Sequence, residues 1–586
     1  MSHTKLGGSP VSSDLEGTVS PGYSHDVTGV KSTSLEYIAL QGENGGDPTY
    51  QEVSGAPIER KSPLGLSVTW ITIIGLNLNQ MIGTGVFSTP SSILKGTGSV
   101  GVSLLYWAIG FVISACGLAI YIELASYFPS RSGAEAVYLE QAYPRPKYFF
   151  PVTFAVQSVI LSFSSSNAIV LAQYLYKVAG KTPTNWEQKG VAVAAYTVAA
   201  LFVASNNRLG LLVNDVTGII KLVTLVFISI TGLVVLGGHT SIADPTINFH
   251  DAFSGTTPTG YGVANALYKI TFAYAGYANA FNVVAEVKDP IKTIKKSAPA
   301  SLLIVAVLYT LCNVAYFAAV PKAQLAASSQ TAASLFFSAV FGPKAAQGLN
   351  FLVVISAFGN LVGVLIGQSR LLREVGRQGT LPWPRFWTGT KPFGTPFGPY
   401  LLKWGLTIVV ILAVPSGDAF NFVVDLAIYP GSLFLFLMAL GIYFIRRQRR
   451  RLGLARGSFR AWDIAIVFFL LVQLFLLIMP WYPPTGGANG GDVSFWYATY
   501  CAVGLGIVAL CALYYWVWIY LLPRLGDYSI RQTIIQVPGG GFSHALVKVP
   551  NSELQQWDDS HDPSGNVIGV VPSGESLDGD VPSKVA

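Results

Sequence analysis

The sequence predicts an all-α membrane protein that crosses the bilayer twelve times, with its first and sixth crossings interrupted. Three observations lead there. Only 11% of the 586 residues are charged and 51% are hydrophobic, with a mean hydropathy of +0.48, whereas a soluble domain carries about a quarter charged residues. The apolar residues fall in runs close to the ~20 residues a helix needs to cross a bilayer. Basic residues gather in alternate loops between those runs, the pattern of positive-inside topology. That pattern accounts for the net charge of +7 without invoking nucleic acid.

Residues 1–62 are rich in Ser, Gly and Thr with little apolar patterning, and are expected to form a disordered cytoplasmic tail. They contain no secretory leader, so the first crossing is expected to direct insertion itself. A twelve-helix domain is expected over 63–525. A second cytoplasmic tail, polar and partly acidic, is expected over 526–586.

The first apolar run, about 66–94, holds Ile82-Gly83-Thr84-Gly85-Val86-Phe87 and then Pro90. An interior Gly costs about 0.5–1 kcal/mol relative to Ala, and in hydrocarbon the freed N–H and C=O groups find no water. A break at mid-depth is tolerable where it lines a polar cavity, and exposed N–H groups at a half-helix N-terminus hold an anionic group. Gly83-Thr84-Gly85 thus reads as one wall of a binding site. A kink or close helix packing is the other reading of this stretch. Gly96-Thr97-Gly98-Ser99-Val100-Gly101 has G-x-G-x-x-G spacing, but no strand precedes it, and nucleotide binding is not expected.

Further runs at about 102–127, 149–178, 190–205, 209–236, 262–286, 298–320, 345–369, 400–415, 420–445, 464–480 and 494–522 complete the twelve. The loop after the sixth run carries Lys288, Lys292, Lys295 and Lys296. The loop after the eighth carries Arg373, Arg377, Arg385 and Lys391, and the loop after the tenth carries seven arginines from Arg446 to Arg460. Loops 237–261, 416–419 and 481–493 have no Lys or Arg. Even-numbered crossings therefore end in the cytoplasm, with both tails there. Loop 179–189 dissents with Lys181 and Lys189. Residues 330–341 are apolar but too short to cross, and read as an external helix over the entrance.

The sixth run contains Phe272-Ala273-Tyr274-Ala275-Gly276-Tyr277-Ala278-Asn279, a second break. The first and sixth runs correspond when five-helix repeats are laid on runs 1–5 and 6–10. Paired interrupted helices at corresponding positions point to a transporter with a 5+5 inverted-repeat fold.

Charged residues inside the runs are few. Lys221 lies about two turns into the fifth run; a lone ammonium in hydrocarbon costs about 2.5–3.5 kcal/mol on insertion scales, so it is expected to face the bundle and be paired or hydrogen-bonded. It reads either as a brace for the broken first helix that also exchanges a proton, or as a structural cation. Asp425 reads as bonded to a polar neighbour near the interface, with a cation-accepting or proton-carrying role as alternatives. Lys269 reads as a vestibule charge. Glu123 and Glu286 lie at cytoplasmic ends near Arg370, either as an inner-gate ion pair or as snorkelling side chains. All four cysteines, Cys116, Cys312, Cys501 and Cys511, fall inside apolar runs, so neither a disulfide framework nor a zinc site is expected. H-E-x-x-H and G-x-S-x-G are absent; no cofactor and no enzymatic activity are expected.

Gly83-Thr84-Gly85-Val86-Phe87, Phe272-Ala273-Tyr274, Glu286-Val287-Lys288-Asp289-Pro290 and Gly367-Gln368-Ser369-Arg370 resemble the amino acid–polyamine–organocation superfamily and, within it, the L-type amino-acid transporters. The Ser/Thr-rich tails and Ser356-Ala357-Phe358-Gly359-Asn360 are similar to fungal methionine-permease-like members. The resemblance covers about residues 65–480. It implies a permease of neutral L-amino acids working by alternating access across a fungal plasma membrane, driven by a proton gradient, with exchange and facilitated diffusion as alternatives and a vacuolar home not excluded by the sequence. It implies that the substrate carboxylate sits on the N–H groups of Thr84 and Gly85. The α-ammonium would meet carbonyls at Phe272, Ala273, Ala275 and Ile82, with Gly83, Tyr274 and Gly276 completing the walls. Phe272 would be an aromatic lid and Glu286 a gate residue. Lys221, following Asn214-Asp215-Val216, would fill the place of a sodium ion between the first and eighth helices.

Two departures limit what carries over. Tyr277-Ala278 stands where animal members often have Trp-Asn, so side-chain preference does not transfer. Animal heteromeric members bond a single-span glycoprotein through a cysteine in the loop after the third helix; residues 179–189 contain none, so no disulfide-linked subunit is expected. Lys5, Lys31 and Lys61 on the first tail suit recognition by ubiquitin-ligase adaptors, as in similar fungal permeases. Two rivals remain from the sequence: a transporter of another amine (γ-aminobutyrate, choline or a polyamine), and an amino-acid-sensing receptor on the same fold.

Overall fold

Among the described residues up to 526 the chain is predominantly helical. The computed structural model describes residues 68–561, apart from 129–131, 241, 257–258, 288, 329–330, 415, 452–456 and 538–540. The 1–62 tail with Lys5, Lys31 and Lys61, the end of the 526–586 tail, and Lys288 lie outside the described residues.

The first apolar run is split into α1 (Trp70–Met81), the single turn α2 (Gly85–Ser88) and α3 (Pro90–Thr97). Thr69 caps α1, accepting the Thr72 N–H through its hydroxyl. Pro90 opens α3, where its missing N–H is no loss. Helix α4 (Val100–Tyr127) follows, then the short α5 (Glu135–Ala142). The third apolar run forms α6 (Phe149–Ile160) and α7 (Ser165–Val178), separated by a break at 161–164 that the sequence reading did not anticipate. Next come α8 (Asn185–Ser205) and α9 (Asn207–Leu236). Helix α8 opens with a capping box between Thr184 and Glu187. Lys189, one of the dissenting basic residues, lies within α8 and donates to the Leu412 carbonyl at 2.8 Å.

The sixth apolar run forms α10 (Gly260–Tyr274) and a 3-10 helix, Asn279–Glu286. Then come α11 (Pro290–Ala319), α12 (Ala332–Arg377), α13 (Phe397–Ala413), α14 (Ser416–Arg451), α15 (Asp463–Ile478) and α16 (Thr499–Trp516), the last continuing helically to Gly526. Helix α12 is kinked at Gly342 (φ 81°, ψ 166°). The apolar 332–341 stretch is thereby a separate arm preceding the crossing.

Among the described residues, nine helices are long and apolar enough to cross a membrane, and the 17-residue Phe397–Ala413 is a shorter apolar helix. Their faces are turned inside out relative to a soluble bundle. On α9, Ile219 and Val223 are each 60% exposed while Lys221 is fully buried. Such an apolar exterior needs hydrocarbon around it, and the polar interior needs partners. Helix α1 sits among α9, α11 and α12, and α10 lies against α3, α4 and α14. Both broken runs are thus central.

Beyond Gly526 the chain forms an antiparallel hairpin, β1 (Tyr528–Val537) with β2 (Gly541–Pro550), and a short helix α17 (Leu554–Ser560). The hairpin packs against the end of α12: the Ser543 hydroxyl donates to the Arg377 carbonyl, and the Gly379 Cα lies against His544. Arg531 holds Asp558 through two bonds of 2.7 and 2.8 Å; with its Arg531 hydrogen bond as the main cause, Asp558 stays below the usual carboxylate range.

Candidate functional site

The first break begins where Ile82 leaves the helical region (φ −79°, ψ 71°). A helix that stops inside a bundle strands its last carbonyls, and here each finds a donor from another crossing. Lys221 Nζ of α9 donates to the Asn79 carbonyl at 2.9 Å. Asn360 Nδ2 of α12 donates to the Asn79 and Gln80 carbonyls at 2.9 and 2.7 Å. The Tyr309 hydroxyl of α11 donates to Met81 O at 2.6 Å, and Ser356 Oγ lies 3.3 and 3.4 Å from the Ile82 and Gly83 carbonyls. On the far side of the break the Thr84 N–H and hydroxyl both donate to Asn167 Oδ1 of α7, at 3.2 and 2.7 Å. The Gly85 N–H has no acceptor among the described residues.

The second break follows Tyr274. Ala275 is extended (φ −57°, ψ 132°) and Gly276 adopts φ 118°, a conformation glycine takes without strain. The Phe272 carbonyl accepts the Ala275 N–H at 3.1 Å, and the Ala273 carbonyl accepts the Tyr309 hydroxyl at 3.1 Å. Tyr309 therefore touches both breaks. Asn77 adds a second tie, donating to the Tyr277 carbonyl and accepting the Ala280 N–H.

The breaks lie against each other. A Cβ on Gly85 would stand 2.9 Å from Ala273 Cα, and one on Gly276 would stand 2.6 Å from Gln80 Cβ. Ile82, Thr84, Val86 and Phe87 are fully buried. The structure thus brings Ile82, Gly83, Thr84, Gly85, Ala273, Ala275 and Gly276 into one neighbourhood. Phe272 is half-buried and meets Phe420 of α14 edge-on, ring centroids 5.8 Å apart.

Other expected residues sit elsewhere. The Tyr274 side chain turns away from the break; its hydroxyl donates to the Trp107 carbonyl of α4 at 3.0 Å, and its ring packs on Tyr309. Only its backbone belongs to the break. Lys269 is no vestibule charge. It is fully buried, 2.8 Å from Asp425 Oδ1 and 3.1 Å from Asp492 Oδ2, because an ammonium in apolar surroundings is tolerable only beside opposite charge. Glu286 and Arg370 form a buried pair at 3.0 Å, with the Arg370 guanidinium also donating to the Tyr400 hydroxyl. Glu123 does not join them: Arg446 Nε and Nη2 donate to its two oxygens, each at 2.7 Å.

Several residues of this neighbourhood escaped the sequence reading: Asn79, Asn167, Asn360 as a carbonyl holder, Tyr309 and Lys403. Lys403 of α13 is fully buried and donates to the Ser162 carbonyl, to Ser164 Oγ at 2.8 Å and to Gln368 Oε1. It thus holds the third-crossing break as Lys221 holds the first. The available signal was a polar residue inside an apolar run, which marks a buried partner without naming it. No group of His, Cys, Asp and Glu suited to a metal occurs among the described residues.

Opposed half-helix ends of this kind present N–H groups to an anion and carbonyls to a cation a few ångströms apart. Such an arrangement can hold the two charged groups of a zwitterion. Residues 66–508 match the model of the amino acid permease family. The chain is 35% identical over 495 residues to the high-affinity methionine permease of Saccharomyces cerevisiae, covering 84% of this chain and 86% of that one. It is 26% identical to the low-affinity methionine permease of the same yeast, covering 83% and 89%. It is 27% identical to the human b(0,+)-type amino acid transporter 1, covering 70% and 81%.

Proposed function

The chain belongs to the amino acid permease family, and from that premise we propose that it carries neutral L-amino acids, with methionine-like side chains foremost, by alternating access driven by a proton gradient. The observation that carries the substrate reading is the buried Gly85 N–H, left without an acceptor among the described residues and lying beside Ala273 of the second break. The substrate carboxylate binds there and on the Thr84 N–H, with Asn167 Oδ1 holding the Thr84 hydroxyl and keeping that turn in place. The α-ammonium takes the remaining lone pairs of the Ile82, Phe272, Ala273 and Ala275 carbonyls, each of which accepts two hydrogen bonds. Phe272 closes over the substrate against Phe420, and Lys221 braces the first break. Glu286 gates the opposite end with Arg370.

The proposed topology has twelve crossings. The nine long helices, Phe397–Ala413 and the interrupted segments 70–97 and 260–286 make up that number. Basic loops on one side support cytoplasmic tails, and the plasma membrane is the proposed home. The yeast relatives named as methionine permeases support the side-chain preference. No disulfide-linked subunit is proposed, since Cys312, Cys501 and Cys511 are buried and Cys116 lies within α4.

The test is uptake of radiolabelled L-methionine and other neutral amino acids by purified protein in vesicles, with and without an acidic exterior. Saturable uptake inhibited by α-amino acids, and not by analogues lacking the carboxylate, is expected. Equal inhibition by carboxylate-free amines would overturn the substrate reading.

A further inference from the structure

Two carboxylates and one ammonium meet in a buried cluster joining three parts of the chain. Lys269 comes from α10, Asp425 from α14, and Asp492 from the loop between α15 and α16. Lys269 Nζ donates to Asp425 Oδ1 at 2.8 Å and lies 3.1 Å from Asp492 Oδ2. Lys269 is fully buried, Asp425 is 1% exposed, and the Asp492 side chain keeps 23% of its surface. The loop is tied to both helices: the Asp492 carbonyl accepts from Asn421 of α14, and the Tyr261 hydroxyl of α10 donates to Asp492 Oδ1 at 3.2 Å.

The charges do not balance. Lys269 is the one cation, among the described residues, that the two carboxylates face. The other ionisable neighbours are neutral hydroxyl or thiol groups: Tyr261 and Tyr268 on α10, and Tyr500 and Cys501 on α16. Fully ionised, the cluster would hold one net negative charge out of water, a costly arrangement. Two oxygens are also left over: Asp425 Oδ2 and Asp492 Oδ2 are buried and have no hydrogen-bond partner. Asp492 Oδ2 still lies 3.1 Å from the Lys269 ammonium, whereas Asp425 meets that ammonium through Oδ1, so its Oδ2 is the one left unused. An added proton would answer both facts, cancelling the excess charge on the carboxylate that has an unused oxygen.

We propose that this cluster is the binding site of the coupling proton, carried on Asp425 and reached from the exterior past Asp492. The proposal rests on the proton-driven reading given above. The cluster is connected to the substrate site through α10. Lys269 lies one turn before Phe272, whose ring meets Phe420 on the same α14 that supplies Asp425. With Asp425 ionised, Lys269 is pulled to α14. With Asp425 protonated, Lys269 turns to Asp492, and α10 is released to move with the break at Ala275 and Gly276. Proton occupancy and the position of the lid are then linked, the requirement for coupling two ligands at separate sites.

The experiment uses full-length protein in vesicles with radiolabelled L-methionine, comparing accumulation driven by an acidic exterior with counterflow exchange at equal pH. In Asp425→Asn, gradient-driven accumulation should fall at least tenfold while exchange falls less than threefold. Asp492→Asn provides a second variant: it balances the charges of Lys269 and Asp425, removes the reason for an extra proton, and should also lose the gradient response while still exchanging. Wild-type gradient response in either variant would overturn the assignment and leave proton coupling standing. A wild-type protein that exchanges but ignores the gradient would overturn both.

Discussion

Lys221 Nζ donates to the Asn79 carbonyl at 2.9 Å, joining the middle of α9 to the end of α1. The bond fixes where the first crossing comes apart. Lys221→Met removes the donor and leaves the Asn79 carbonyl to Asn360 alone. A hydrogen bond from a charged donor contributes about 1.5–3 kcal/mol, so initial uptake of L-methionine should drop roughly tenfold or more. Uptake rates and melting temperature in detergent check this. A variant with wild-type uptake and unaltered pH dependence would remove both the brace and any proton role from Lys221.

Gly85 lies against Ala273 because neither break leaves room for a side chain. The Cβ of Gly85→Ala would meet Ala273 Cα at 2.9 Å, a backbone atom that cannot swing aside. Overpacking of this kind costs about 1–3 kcal/mol. It should raise the KM for uptake about tenfold, since the strain falls on the groups that read the carboxylate. Gly405→Ala is the control: nothing lies within 4 Å of its Cβ, and it should leave both KM and melting temperature alone. Equal effects at the two positions would contradict the close contact of the breaks.

Glu286 and Arg370 are buried together, at 2% exposure each. Arg370→Gln alone leaves Glu286 without its charge partner, and breaking a buried pair from one side costs about 3–5 kcal/mol. Glu286→Gln/Arg370→Gln leaves no charge behind, so the double variant should melt above the Arg370→Gln single variant. Thermal melting of the four proteins measures the coupling. Additive losses would mean that the contact contributes nothing as an ion pair.

How far the sequence reveals this site depends on what each residue needs from its surroundings. Gly83, Gly85 and Gly276 were legible because glycine in an apolar run contradicts a plain crossing. Lys221 was legible because an ammonium there has to find a partner. The partners themselves were not. Asn360 and Asn79 are 281 residues apart, and helical periodicity says nothing about which asparagine meets which carbonyl. The same holds for Lys269 and Asp425, 156 residues apart, which read singly as a vestibule charge and an interfacial acid. The third-crossing break left a fainter trace, the serines at 162 and 164–166. The hairpin was detectable in principle, since Tyr528–Val537 is rich in β-branched residues and precedes Pro538-Gly539-Gly540-Gly541.

Lys403 gives the most discriminating prediction, because it touches the first break only through an intermediary. Its ammonium holds the Ser162 carbonyl and Ser164 Oγ, which sit in the gap between α6 and α7. Asn167 occupies the first turn of α7 and takes the Thr84 N–H. If Lys403 sets the position of that turn, Lys403→Met and Asn167→Ala disturb the same contact at Thr84. Each should raise the KM for L-methionine by roughly five- to tenfold, in line with the loss of one buried hydrogen-bonding partner. The double variant should be little worse than either single one, since residues acting along one chain of contacts are not additive. Multiplied effects in the double variant would show that Lys403 acts on transport by a route that bypasses Asn167.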